Sequence, residues 1–152
     1  MILGNKRPLI KAGLFLGVGL GGFFDGILFH QILQMHNMLS NVIPVQDLIS
    51  AKINMLWDGF FHAAVWIITL VGIHLLFKAG KNKQHIWSEK ILFGSMIAGW
   101  SAFNLVEGII NHQIFALHHV MEYVFNPLPY DLAFLASGVI LMAIGWWMVK
   151  SK

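Results

Sequence analysis

The sequence contains no cysteine. Disulfides, thiolate metal sites, iron–sulfur clusters and a cysteine nucleophile are therefore excluded, and any bound metal must use histidine, carboxylate, amide or thioether donors. Charge is also scarce: 11% of the 152 residues are Asp, Glu, Lys or Arg, against 57% hydrophobic. So little polar surface cannot coat a soluble domain of this size, and the chain reads as a protein solvated by lipid. The ten basic residues leave a net charge of +3 but are scattered in short clusters between apolar runs. They form no basic face, so nucleic acid is not an expected partner.

Four apolar runs are present, at residues 12–33, 59–77, 91–115 and 132–149, each near the ~20 residues that cross a hydrocarbon layer of ~30 Å. The expected fold is an all-α integral membrane protein of four transmembrane helices, one domain over residues 1–152, with both termini on one side. Lys6 and Arg7 precede the first run, but no small-residue cleavage site follows and Asp25 interrupts it, so it reads as a retained span and not a signal peptide. A cytoplasmic N-terminus places Lys6, Arg7, Lys11, Lys78, Lys81, Lys83, Lys90, Lys150 and Lys152 inside and leaves only Lys52 outside, as the positive-inside rule asks. The acids do the reverse, with Glu89 inside and Asp25, Asp47, Asp58, Glu107, Glu122 and Asp131 in the outer half or outer loops. The expected location is a multi-pass position in the cytoplasmic (inner) membrane. Pro44, Pro127 and Pro129 break the two outer connections, near 38–55 and 120–130.

The chemistry sits in a repeated motif. Asp25-Gly26-Ile27-Leu28-Phe29-His30-Gln31-Ile32 matches Glu107-Gly108-Ile109-Ile110-Asn111-His112-Gln113-Ile114 at acid, glycine, isoleucine, histidine, glutamine and isoleucine, and His36 pairs with His118 at the same offset of 82. A weaker echo links Trp57-Asp58 to Tyr130-Asp131, followed in step by Ala63 and Ala136, Ile67 and Ile140, and Gly72 and Gly145. The chain thus reads as two duplicated helical hairpins, about 9–80 and about 88–152. Two spans separate the copies, so they share one orientation and equivalent residues lie at equal depth.

An acid within a span costs about 2.5 kcal/mol or more and needs partners in the protein interior. Helix packing through a histidine or tryptophan would satisfy one such acid; two acids, each five residues before a histidine, point instead to a metal site. On an ideal α-helix Asp25 and His30 are about 140° out of register, so Asp25 and Glu107 are expected as bridging ligands or as acceptors that orient imidazoles, and as the candidate catalytic groups. Asp58 and His62, four apart, share a face and are expected to share an ion; His112 and His119 also share one. The expected metal set is His30, His36, Asp58, His62, His112, His118, His119 and Asp131. Pairing residues equally far from each outer turn brings His30 near Asp58, Asp25 near His62, and His112 toward Asp131. His74, near the inner end of its span, and His85, in a cytoplasmic loop, are expected to stand apart. Met35-His36 and His119-Val120-Met121 set thioether beside imidazole, which favours copper over iron or zinc, in a mono- or dinuclear centre.

Together, Asp25-Gly26 with His30-Gln31, Trp57-Asp58-Gly59 with His62, Asn104-Leu105-Val106-Glu107-Gly108 with His112, and His118-His119 resemble a bacterial and archaeal family of small four-helix membrane proteins known by a domain of unknown function. The resemblance covers nearly the whole chain and implies no activity. In that family a second histidine is common where this chain has Asn37, and another where it has Gln113. Those departures favour His30, His36, His62, His112, His118 and His119 as ligands. Asp58 and His62 followed by His74 also look like the copper motif of membrane methane and ammonia monooxygenases, one residue short at the last spacing.

The leading expectation is a membrane metalloprotein, a metal-dependent oxidoreductase acting on a small or lipid-soluble substrate at the extracellular or periplasmic side. Copper binding, delivery or transport is the alternative. Haem held between His30 and His112, or a structural subunit locked by its polar cluster, are further ones. A homo-oligomer or association with respiratory membrane proteins is compatible with each.

Overall fold

The computed structural model describes residues 5–151, so Lys152 lies outside the described residues. It is a bundle of four long helical spans in two similar halves. In the first half α1 (Arg7–Asp25) passes directly into a π-helix, π1 (Gly26–Ile32), and returns through α2 (Leu48–Lys81). In the second, α3 (Glu89–Glu107) passes into π2 (Gly108–Ile114) and returns through α4 (Leu128–Lys150). All four spans, Arg7–Ile32, Leu48–Lys81, Glu89–Ile114 and Leu128–Lys150, are long and apolar enough to cross a membrane.

Helices α1 and α3 form the central pair, with α2 packed on α1 and α4 on α3. Small residues let the central pair meet at backbone distance. A Cβ on Gly17 would overlap the Met96 carbonyl, and one on Gly99 would overlap the Leu14 carbonyl. Close approach of this kind replaces the hydrophobic drive that lipid cannot supply between helices. The buried positions of α1 reappear on α3: Ala12, Gly13, Leu16, Gly17, Gly22 and Asp25 against Gly94, Ser95, Ala98, Gly99, Asn104 and Glu107.

Helices α2 and α4 are apolar nearly all round, and each buries one narrow stripe. On α2 it runs Asp58, Val65, Gly72, Ala79, and on α4 Asp131, Gly138, Gly145, in steps of seven residues. A seven-residue step keeps a single seam against a neighbouring helix. The other faces expose Trp66, Ile73 and Phe77 on α2, and Val139, Ile140 and Trp147 on α4, which suits contact with acyl chains. Each stripe ends in a buried aspartate at the same end of the bundle.

The α2 helix begins well before the expected 59–77 run. Asp47 caps it by accepting from the Ser50 amide at 2.7 Å, and Ser50 answers at the Asp47 amide. These hydrogen bonds hold the Asp47 carboxyl below its ordinary value. The outer connection is accordingly shorter than 38–55. At the opposite end, Lys6 donates to the Val149 carbonyl at 3.2 Å, and Asn5 pairs with Gln84 and Ile86 in the α2–α3 loop. The chain ends and that loop therefore share one end of the bundle, and the π-helices lie at the other.

Candidate metal centre

In a π-helix the hydrogen bonds span five residues, so side chains five apart come round to one side. π1 begins at the residue after Asp25, and π2 at the residue after Glu107. Asp25 Oδ2 consequently lies 3.3 Å from His30 Nε2, and Glu107 Oε1 lies 3.0 Å from His112 Nε2. This corrects the expectation from ideal α-helical phase that kept Asp25 and His30 apart.

Two residues past the end of each π-helix stands a residue with left-handed backbone, Gln34 at φ 49° and Ala116 at φ 46°. A non-glycine residue pays about 1–2 kcal/mol for this conformation. The chain then reverses, with the Met35 amide donating to Phe29 and the Leu117 amide to Asn111. The reversal brings His36 and His118 back over the helix ends. The two connections also grip each other: His36 Nδ1 donates to the Val120 carbonyl and His118 Nδ1 to the Met38 carbonyl, each at 3.0 Å.

Four imidazoles, from His30, His36, His112 and His118, meet in the interior, each at most 2% exposed. The His36 and His118 rings stack with centroids 4.6 Å apart, and His30 to His36 and His112 to His118 are 4.4 and 4.9 Å. Ligand atoms of His30, His36 and His118 lie within 4.8 Å of one another, as do those of Glu107, His112 and His118. These buried groups could hold a metal ion. Buried Asp25 and Glu107 complete the cluster.

The two nitrogens of each ring face different surroundings. On the outer side, His30 Nδ1 is 2.8 Å from Asp58 Oδ1 and His112 Nδ1 is 3.6 Å from Asp131 Oδ1, while His36 and His118 use backbone carbonyls. On the inner side the Nε2 atoms face one another and the carboxylates, with His118 Nε2 2.9 Å from Glu107 Oε1. Buried cluster atoms without a hydrogen-bond partner are Asp25 Oδ2, His30 Nε2, His36 Nε2, Glu107 Oε2 and, on the outer side, His112 Nδ1. Burial first, and then the neighbouring imidazoles of His118 and His30, push the His36 pKa down to about 2, so its ring is neutral.

A neutral imidazole carries a single N–H. If Nδ1–H of His118 serves the Met38 carbonyl, its Nε2 lone pair faces the Glu107 carboxylate with no hydrogen between them; His30 has a carboxylate at each nitrogen. The four carboxylates of Asp25, Asp58, Glu107 and Asp131 are buried, and among the described residues their ion-pair partners are all histidines. The cluster is short of positive charge, which only protons or metal ions can supply.

Asp58 does not join the inner ring of donors. Its Oδ1 accepts from His30 and from the Met38 amide at 2.9 Å, and its Oδ2 from Asn37 and Gln31. Asp131 makes the matching set with the Val120 amide, His119 and Gln113. His62, expected to share an ion with Asp58, turns Nδ1 onto the Asp58 carbonyl at 2.8 Å, and its Nε2 packs against Gly26 on the outside of π1. An i, i+4 pair can close onto its own backbone as readily as onto an ion. His119 lies beyond Asp131 at 2.7 Å from Oδ2 and does not face His112 across a shared ion. His74 is exposed on α2, and His85 bonds the Ala79 carbonyl at the far end. Asn37, Gln31 and Gln113 were not singled out from the sequence as site residues, although Gln31 and Gln113 stand at matched positions of the motif.

The family model described as a predicted membrane protein (DUF2243) matches residues 12–152. No curated protein and no solved structure matches the chain.

Proposed function

The chain belongs to this DUF2243 family of predicted membrane proteins, and we propose that it is a redox metalloprotein with a dinuclear centre built from two similar hairpins. The proposed donors are the Nε2 atoms of His30, His36, His112 and His118 and the carboxylates of Asp25 and Glu107. The observation that carries this reading is the sidedness of the rings: Nδ1 of His30, His36 and His118 is turned outward onto an acceptor, Nδ1 of His112 lies 3.6 Å from Asp131 Oδ1, and Nε2 of His30, His112 and His118 faces a buried carboxylate. An acceptor at one nitrogen fixes the tautomer and leaves the other lone pair for a metal. The spacing agrees: contacts of 2.9 to 3.3 Å between Nε2 and carboxylate oxygen match the edge of about 2.9–3.4 Å between donors that share an ion about 2.1 Å away. Two divalent cations would balance the four buried carboxylates.

Nitrogen with carboxylate oxygen suits iron, and for that reason iron stands ahead of copper, the metal favoured by the neighbouring methionines. Such a centre would supply electron exchange or activation of oxygen or water. That Asp25 Oδ2 and Glu107 Oε2 are buried without a partner supports a role for these carboxylates in holding a metal ion or a proton. Asp58 orients the His30 ring from outside, and Asp131 lies 3.6 Å from His112 Nδ1 on the matching side. A haem is disfavoured, since three imidazole nitrogens within 4.8 Å of one another leave no slot for a macrocycle. Transport draws no support from the inner half, where the Thr69, Ser95 and Ser101 hydroxyls are turned onto backbone carbonyls. The basic residues at the terminal end of the bundle support cytoplasmic termini and a centre facing the extracellular or periplasmic side of the inner membrane.

X-ray absorption at the metal edge of the full chain in mild detergent tests the reading. A first shell of nitrogen and oxygen, imidazole outer-shell scattering and a metal–metal vector near 3–4 Å are expected. A sulfur-dominated shell, or a single ion with no imidazole signature, would overturn it.

A further inference from the structure

A cleft of about 410 Å³ leads from the site end of the bundle to His30, between the first connection and the opening turns of α2. Its polar wall is made by the amides of Gln31, Gln34 and Asn37 and by Tyr123 from the second connection. Val45, Ala51 and Met55 form the apolar wall. None of the lining residues is Asp, Glu, Lys or Arg. The Gln31 and Asn37 amino groups already reach Asp58 Oδ2 at 3.4 and 3.2 Å, which leaves their carbonyl oxygens to accept. Gln34 and Tyr123 have no side-chain partner among the described residues. Leu33, Leu48 and Ile49 stand exposed in the adjoining segments.

We infer that this cleft binds the head group of a neutral, lipid-soluble quinone or quinol, with its ring beside His30 and its tail leaving past the Leu33 and Leu48 side chains into lipid. The lining disfavours an anionic ligand, because a negative charge brought into it would lose hydration and meet the Asp58 carboxylate behind Gln31 and Asn37 with no Lys or Arg to pair with. Amide donors and acceptors with a phenol suit ring oxygens that are carbonyls in one redox state and hydroxyls in the other. The volume falls within the range of about 300–1,000 Å³ for small-ligand sites. His30 connects the cleft to the cluster, with one nitrogen 2.8 Å from Asp58 and the other 3.3 Å from Asp25. Binding itself does not require the metal reading; only the use made of the ligand does.

The test is calorimetric titration of the full chain, in lipid nanodiscs, with decylubiquinone and with a short-chain menaquinone analogue, the metal content being counted in the same samples. Saturable binding of either is expected, in metal-loaded and in chelator-treated protein alike. Ala51→Trp, which fills the cleft from α2, should weaken it at least tenfold. Gln34→Leu should weaken it about three- to tenfold, the loss of one hydrogen bond. Ala143→Trp, in a lipid-facing groove on α4, should leave it unchanged. If Trp at position 51 disturbs the fold, Ala51→Leu and Gln34→Leu decide. No saturable binding to the unmodified chain, or equal binding in the cleft variants and the α4 control, would overturn the inference while leaving the metal count to stand or fall alone.

Discussion

Replacing Asp58 by asparagine separates an orienting carboxylate from a ligating one. Asp58 accepts four hydrogen bonds, two at Oδ1 from His30 Nδ1 and the Met38 amide, and two at Oδ2 from Asn37 and Gln31. An asparagine keeps the Oδ1 bonds, so His30 stays in place. Its amino group would, however, face two other amino groups. Removing two net hydrogen bonds costs about 1–3 kcal/mol of stability in the metal-free protein, reduced if Asn37 and Gln31 rotate their amides. The larger effect falls on the metal. Loss of the negative charge behind a ligating imidazole typically lowers metal affinity 10–100-fold, about 1.4–2.7 kcal/mol. Chelator competition on Asp58→Asn should therefore give an affinity lower by that factor, with the full metal complement restored when metal is in excess. A permanent loss of one equivalent would make Asp58 a ligand and refute the inside–outside division of the rings. An affinity within threefold of the unmodified chain would refute the orienting role.

Gly17→Ala should weaken or abolish the fold, since its Cβ would overlap the Met96 carbonyl where α1 crosses α3; overpacking costs about 1–3 kcal/mol or more. Gly59→Ala, with nothing within 4 Å of the added carbon, should raise the melting temperature, as helix propensity favours alanine by up to about 1 kcal/mol; thermal shift in detergent measures both. His62→Ala and His74→Ala should leave the bound metal unchanged by mass spectrometry, because neither ring reaches the cluster, and a loss with either would revive the methane- and ammonia-monooxygenase likeness. Burial raises the Glu122 carboxyl above its ordinary 4.5, so the native state holds that proton longer than the unfolded chain. This contribution is full below the unfolded value and is lost as pH rises through the folded one. Glu122→Gln should consequently raise stability at pH 7.5 relative to the unmodified chain, with the gain shrinking toward pH 4; a gain independent of pH contradicts the assignment.

The parts legible in the sequence were those that depend on hydropathy and on matched positions. Four apolar runs give four spans, and the offset of 82 places His36 against Val120 and His118 against Met38 in reciprocal hydrogen bonds. Counting back from the outer turn brings His30 to Asp58. The π-helices were not legible, because nothing in Gly26–Ile32 departs from a good apolar helix except the five-residue step from acid to histidine. Read at 3.6 residues per turn, that step moved Asp25 and Glu107 off the histidine face; read as a π turn, it puts them on it. The start of α2 was hidden differently. The apolar run begins only at residue 59 and Pro44 marks a break before it, although Asp47 with Ser50 three residues on is a helix-start signal. The roles of Asp58 and Asp131 turn on which ring nitrogen they face, and residue spacing carries no information about that.

The central claim is that six inward-facing groups hold two metal ions, and the most direct test is the metal-to-protein ratio of the full chain. Protein purified from iron- and copper-replete cells should carry close to two equivalents of one redox metal per chain. The ratio should fall by at least one in His36→Ala and in His118→Ala, and remain near two in His62→Ala. Correctly folded protein that holds no stoichiometric metal under replete conditions, and takes none up when iron or copper is supplied, would contradict the account and leave the cluster to be neutralised by protons alone.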